Sequence, residues 1–198
     1  MELYIVRHGE TNLNHLKILQ GKSNVSLLNE AGEAQGRLIG SHLKETKFDA
    51  VYTSDLARAV RTAELICEEN QFKFEIFQDE RLRERDYGDF EGHTWEEVRK
   101  TLKTDAQRSV VEAPPNGESL FHVRNRVTSF IEDIKAKYKG DEKVLLVTHH
   151  GTIMMLFVVL LELGLEHHRN FKFDNGSLSV FHIGDIYNKL IMANFKEY

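Results

Sequence analysis

The chain has 198 residues, 41% hydrophobic and 29% charged, which suits one domain over residues 1–198 with a substantial core and excludes a disordered or fibrous chain. The formal net charge of −5, with no basic block anywhere, excludes general nucleic-acid binding, so any cationic pocket has to be local. Cys67 is the only cysteine, which excludes an intramolecular disulfide and favours a reducing compartment. Met1-Glu2-Leu3-Tyr4 lacks the charged and apolar regions of a signal peptide and enters a strand at once, so a cytoplasmic location is expected.

In chain order, the first strand is expected near 2–7 and ends in Arg7-His8-Gly9. A helix near 30–45, a strand near 49–53, a helix near 55–69 and a strand near 73–77 follow. In the helix near 55–69, Leu56, Ala59, Val60, Ala63, Ile66 and Cys67 keep the i, i+3, i+4 rhythm of one buried face. The loop of 78–93 is punctuated by glycine and carries the carboxylates Glu84, Asp86, Asp89 and Glu91. Helices near 94–104 and 117–138 come next, separated by Pro114-Pro115-Asn116-Gly117. A strand at 143–148 ends in Thr148-His149-His150-Gly151 and leads into a helix over 151–163. Its nine apolar residues, 153–161, fall short of the roughly 20 that span a bilayer and are expected in the core, so no membrane partner is implied; any part left exposed would serve a second copy in a homodimer. Strands near 177–183 and 188–194 form a hairpin through Gly184-Asp185 at a sheet edge.

This alternation predicts an α/β fold, a three-layer α/β/α sandwich with a mostly parallel central sheet and an antiparallel edge. Ligands of such sheets collect beyond the carboxyl ends of the strands, and His8, Arg58 and His149 each follow a strand. An imidazole is a competent nucleophile toward phosphorus near neutral pH, and a guanidinium can hold phosphate oxygens bidentately, so Arg7-His8-Gly9 has the makings of a phosphoryl-transfer site. Partners stand in Ser54-Asp55-Leu56-Ala57-Arg58-Ala59, in Leu82-Arg83-Glu84-Arg85-Asp86-Tyr87-Gly88 through Glu91-Gly92, and in Thr148-His149-His150-Gly151. Chemistry alone leaves Arg61 open beside Arg58, His150 beside His149, and Asp86, Asp89 and Glu91 beside Glu84.

With these four motifs in order, the chain resembles the histidine phosphatase superfamily, in the branch that also contains the cofactor-dependent phosphoglycerate mutases, from residue 3 to about 183. The resemblance implies a phosphoglycerate mutase-like fold with His8 as nucleophile, Arg7, Arg58 and His149 as catalytic phosphate contacts, and Glu84 as general acid and then base. It implies supporting contacts from Asn14, Gln20 and Gly21, and places Arg85, Tyr87 and His150 on the substrate side. Glu118 reads as easily as a helix-start charge. Relatives of the mutase type carry a lysine where this chain has Trp95, and a Thr-Gly-Trp sequence where it has Gln20-Gly21-Lys22, so a phosphatase is expected over a mutase. Lys22, Arg85, Arg108 and Trp95 are the side chains expected to set specificity. Similarity to fructose-2,6-bisphosphatase, alpha-ribazole phosphatase and broad-specificity phosphomonoesterase types does not separate them. The expected partner is a small phosphorylated metabolite. No metal site or other cofactor is expected, because His149-His150 and His167-His168 are adjacent pairs without a third ligand. A module that merely holds phosphorylated ligands would lack the nucleophile or the acid, and this chain has both.

Overall fold

The computed structural model describes residues 1–101 and 112–196. Its strands are β1 (Glu2–Arg7), β2 (Ala50–Thr53), β3 (Ile76–Gln78), β4 (Lys143–Thr148), β5 (Leu178–Ile183) and β6 (Asn188–Phe195). They form one sheet in the order β3-β2-β4-β1-β5-β6. The pairs β3/β2, β2/β4 and β4/β1 are parallel, whereas β5 runs antiparallel to β1 and β6 antiparallel to β5. The mostly parallel sheet with an antiparallel edge is thus as the alternation of elements predicts.

The helices are α1 (Asn12–His15), α2 (Glu30–His42), α3 (Ala57–Glu69), α4 (Trp95–Thr101), α5 (Leu120–Lys137) and α6 (His150–Leu160). Side chains alternate across a strand, so each central strand feeds two cores. Leu3 and Ile5 of β1 with Val144 and Leu146 of β4 pack against Val127, Phe130 and Phe157 of α5 and α6. Val6, Val51, Leu145 and Val147 pack against Ile39, Ala59, Ala63 and Ile66 of α2 and α3 on the other face. The stretch 153–161 belongs mainly to α6, where Ile153, Met155, Leu156, Phe157, Val158 and Leu160 are buried. Among the described residues no helix is long and apolar enough to cross a membrane.

Element ends differ from the sequence reading for local reasons. The strand expected near 73–77 lies at Ile76–Gln78, paired with Val51–Thr53. Helix α5 starts three residues late because Ser119 caps it, accepting from the His122 N–H. Helix α6 stops at Leu160, short of 163, where Glu162 takes a left-handed φ of 54°. Helix α1 has no apolar period to announce it and is held by a capping box between Thr11 and Asn14. The last residues of the helix expected at 94–104, and Arg108, lie outside the described residues.

Register is what assembles the site. Arg7 pairs with Thr148 and Thr53 with Val147, so β1, β2 and β4 end level, and His8, Ser54 and His149 emerge beside one another. Gly9 lets the turn after His8 lie flat on the start of α2, since a Cβ there would run into the Gly32 carbonyl.

Candidate active site

His8 is 3% exposed, its backbone N–H donating to the Thr148 carbonyl at 2.9 Å. Its Nδ1 lies 2.7 Å from the Gly9 carbonyl. A nitrogen facing a carbonyl must carry the proton, so Nδ1–H donates there and Nε2 keeps its lone pair. The Gly9 N–H donates to Thr62 Oγ1 at 3.1 Å, and the Thr62 hydroxyl donates to the Arg58 carbonyl at 2.7 Å, latching the turn to α3. Asn175 closes the far side, its Nδ2 donating to the His8 carbonyl (3.1 Å), the Gly9 carbonyl (3.3 Å) and Asn14 Oδ1 (3.2 Å).

Among the described residues, three buried side-chain nitrogens near His8 have no hydrogen-bond partner: Arg7 Nε, Arg58 Nε and His149 Nδ1. Arg58 is 1% exposed and is aimed by its other nitrogens, which donate to the Ser23 and Gly21 carbonyls at 2.7 Å each. Arg7 Nη1 donates to the Phe173 carbonyl at 2.7 Å. Burial draws both guanidinium pKa values down to about 10, which leaves them charged at neutral pH. The His149 ring stands 5.0 Å from that of His8, with Nε2 2.9 Å from Ser54 Oγ. Leaving a buried guanidinium N–H unpaired costs about 1–3 kcal/mol, and an anion would satisfy those of Arg7 and Arg58, together with His149 Nδ1 when the Ser54 hydroxyl donates to Nε2.

Asn14 Oδ1 accepts from the Thr11 N–H and from Asn175, and Gln20 Oε1 accepts from the Thr11 hydroxyl. Each amide NH2 is thereby left as a donor for a cleft of about 610 Å³ that both side chains line with Arg7, His8, Arg58 and Glu84. Glu84 is the one carboxylate of its loop on this cleft. It accepts from the Arg85 N–H at 2.9 Å and the Gly151 N–H at 3.0 Å, and a Cβ on Gly151 would lie 2.5 Å from Glu84 Oε1. The glycine two residues after His149 thus makes room for the Glu84 carboxylate against the first turn of α6. Glu91 instead joins two loops by accepting from the Lys22 and Tyr87 N–H groups, Asp86 pairs with Lys22 at 2.6 Å, and Asp89 accepts from Asn116. Arg61 turns away to Glu33, Glu64 and Glu68.

The remaining expected contacts divide. Gly21 lines the cleft, and its carbonyl aims Arg58. Tyr87 and Trp95 meet edge to face at 5.4 Å and form its outer wall with His150. Arg85 is spent largely on structure, donating to the Glu118 and Glu112 carbonyls beside the Tyr87 ring. Lys22 is held by Asp86 and does not line the cleft, and Glu118 holds Arg126 through both carboxylate oxygens. Sequence reasoning missed Lys17 and Lys172, both on the cleft, and the latches Thr62 and Asn175.

His8 and His149 lie well below the usual imidazole pKa of 6.5, first through burial and then through the charge of Arg58. His150 is drawn to about 4, by burial and then by Arg7. All three are neutral in the fold and bind protons more readily in the unfolded chain. Stability is therefore complete above the free imidazole value of 6.5 and is lost as pH falls from there toward 4. The melting temperature should drop steadily below pH 6.5, ahead of the carboxylate range; a flat profile between there and pH 5 would contradict neutral burial.

Unpaired guanidinium and imidazole nitrogens beside the ring of His8, with the Glu84 carboxyl on the same cleft, lie at the carboxyl ends of a mostly parallel sheet, an arrangement suited to an anion. The family model of the histidine phosphatase superfamily (branch 1) matches residues 3–195, and the chain belongs to that superfamily. Phosphoglycerate mutase-like protein 4 of Arabidopsis thaliana is 39% identical over 163 residues, 79% of this chain and 69% of that one. Phosphoserine phosphatase 1 of Hydrogenobacter thermophilus is 31% identical over 198 residues, 98% and 92% of the two chains. The crystal structure of the alpha-ribazole phosphatase from Shigella flexneri superposes with a TM-score of 0.87 at 26% identity, covering 99% of this chain and 97% of that one. The family resemblance and the fold expected from the four motifs are both borne out, and phosphatases stand among the relatives.

Proposed function

We propose that the protein is a phosphatase that hydrolyses small phosphomonoesters through a phosphohistidine on His8, with no metal required. The observation that carries this reading is the cluster of unpaired buried nitrogens, Arg7 Nε, Arg58 Nε and His149 Nδ1, around an imidazole whose Nε2 is free of its proton. In the first step the Nε2 lone pair forms a bond to phosphorus and the ester P–O bond breaks, while Glu84 gives its proton to the leaving oxygen. In the second step Glu84 takes a proton from water, the water oxygen bonds to phosphorus, and the N–P pair returns to Nε2. Arg7, Arg58 and His149 face the phosphoryl oxygens in both transition states, and Asn14 and Gln20 add neutral donors.

The outer wall favours water over a second hydroxyl as the acceptor. Trp95 is 44% exposed at the cleft mouth, in the place where mutase-type relatives carry a lysine, so this position itself supplies no cation to a doubly phosphorylated intermediate. The reading extends to one domain over residues 1–198, acting in the cytoplasm on phosphorylated sugars or similar metabolites. The test is phosphate release from a panel of phosphomonoesters with EDTA present. Release that survives the chelator supports the reading. Interconversion of 2- and 3-phosphoglycerate without release would assign a mutase, and silence in both assays would leave a phosphate-binding module.

A further inference from the structure

A second cavity, of about 400 Å³, adjoins the phosphate cleft and shares Tyr87, Trp95 and His150 with it. Its wall is largely apolar, built from Phe90, Trp95, Pro114, Leu120, Met154 and Phe171. Among the described residues its charged lining is wholly cationic: Arg85, Arg99 and Arg169 face it, with no aspartate or glutamate beside them.

That is unusual for this molecule, whose net charge is −5. Arg37, Arg61, Arg81, Arg83 and Arg126 each meet a carboxylate. Arg99, near the end of α4, and Arg169, in the turn after α6, have no acidic partner among the described residues. Burial lowers the pKa of Arg85 first, Tyr87, Glu118 and Glu84 then raise it, and Arg169 lowers it last; the buried His168 is lowered by burial, raised by its bond to the Leu165 carbonyl, and lowered again by Arg169. Arg99 and Arg169, which meet no carboxylate among the described residues, share one apolar wall on which like charges repel, and a bound anion relieves that repulsion.

We infer that the substrate, beyond the phosphate it loses, is an extended and largely apolar body carrying a second anionic group that Arg99 and Arg169 receive. The inference rests on the phosphatase reading, because the cavity is reached past Tyr87, Trp95 and His150 from the cleft that holds His8. A neutral sugar phosphate fills the first cleft and leaves the second unused. A carboxylate or a second phosphate at the far end of an aryl or alkyl body uses both. The size of the apolar wall favours such a body over a compact, fully hydroxylated one.

Dissociation constants for uncleavable phosphonates test this by calorimetry at fixed ionic strength. The set is benzylphosphonate, its para-carboxyethyl derivative, the matching carboxamide, and the derivative with a distal phosphate. At least one distal anion should bind about tenfold more tightly than the carboxamide, and that ratio should fall to about one in the Arg99→Gln/Arg169→Gln variant. Comparing carboxylate with phosphate tells which anion is preferred. Equal binding of the anions and the amide, or a preference that survives the double substitution, would overturn the inference while leaving the phosphatase reading intact. If benzylphosphonate itself fails to bind and no phosphomonoester is hydrolysed, the phosphatase reading falls, and the inference with it.

Discussion

Replacing His8 by alanine should lower kcat by about four orders of magnitude or more, with affinity for inorganic phosphate changed only a few-fold. The two effects separate if, as proposed, the imidazole supplies the attacking Nε2 and the unpaired nitrogens of Arg7, Arg58 and His149 supply the anion contacts. The variant should fold. The Gly9 carbonyl that loses the imidazole donor keeps Asn175 Nδ2 at 3.3 Å, and the Gly9 N–H keeps Thr62. Steady-state kinetics with phosphate as a competitive inhibitor, beside a melting curve, checks all three statements. Equal losses in kcat and phosphate affinity would recast His8 as a binding residue. Retained turnover would remove it from the reaction.

Glu84→Gln should have the second largest effect, and its size should depend on the leaving group. An alkoxide cannot depart without a proton, so turnover of alkyl phosphates should fall about 10²- to 10⁴-fold. A nitrophenolate leaves unaided, so p-nitrophenyl phosphate should still phosphorylate the enzyme and release one equivalent of nitrophenol in a burst. Turnover should then stall, because the second step also needs Glu84, as a base toward water. The Arg85 and Gly151 N–H groups donate to different carboxylate oxygens, so the amide keeps one of the two contacts, and a melting curve beside the kinetics checks that the loop stays in place. A loss that is equal for all leaving groups and shows no burst would place the acid elsewhere, with Glu91 the nearest alternative in its loop.

The sequence made the centre of the site legible because its parts are short, local and ordered. A strand that ends in Arg7-His8-Gly9 and another that ends in His149-His150-Gly151 show their position by hydrophobic pattern alone, and parallel pairing brings their ends level. The choice of Glu84 over its neighbours was not readable from chemistry. It follows from Gly151, whose missing side chain admits the carboxyl against α6. The supporting shell was hidden for a different reason. Asn175 lies 167 residues from His8 in a polar loop with no spacing to betray it, and only the β1/β5 pairing carries that loop to the nucleophile. Lys22 and Arg85 stood out as specificity candidates because a sequence shows charge but not who holds it. Asp86 takes the first, and two backbone carbonyls take most of the second. Helix ends drifted by two to three residues where a cap or a left-handed residue, rather than periodicity, decides them.

The central claim is the covalent intermediate, and the measurement that tests it most directly is rapid quenching with ³²P-labelled p-nitrophenyl phosphate, whose leaving group departs unaided, into alkali, followed by peptide mapping. The account predicts base-stable, acid-labile label on the peptide containing His8, enriched in Glu84→Gln and absent from His8→Ala. Phosphate released at a normal rate with no labelled protein at any quench time in Glu84→Gln, or label on another residue, would contradict it.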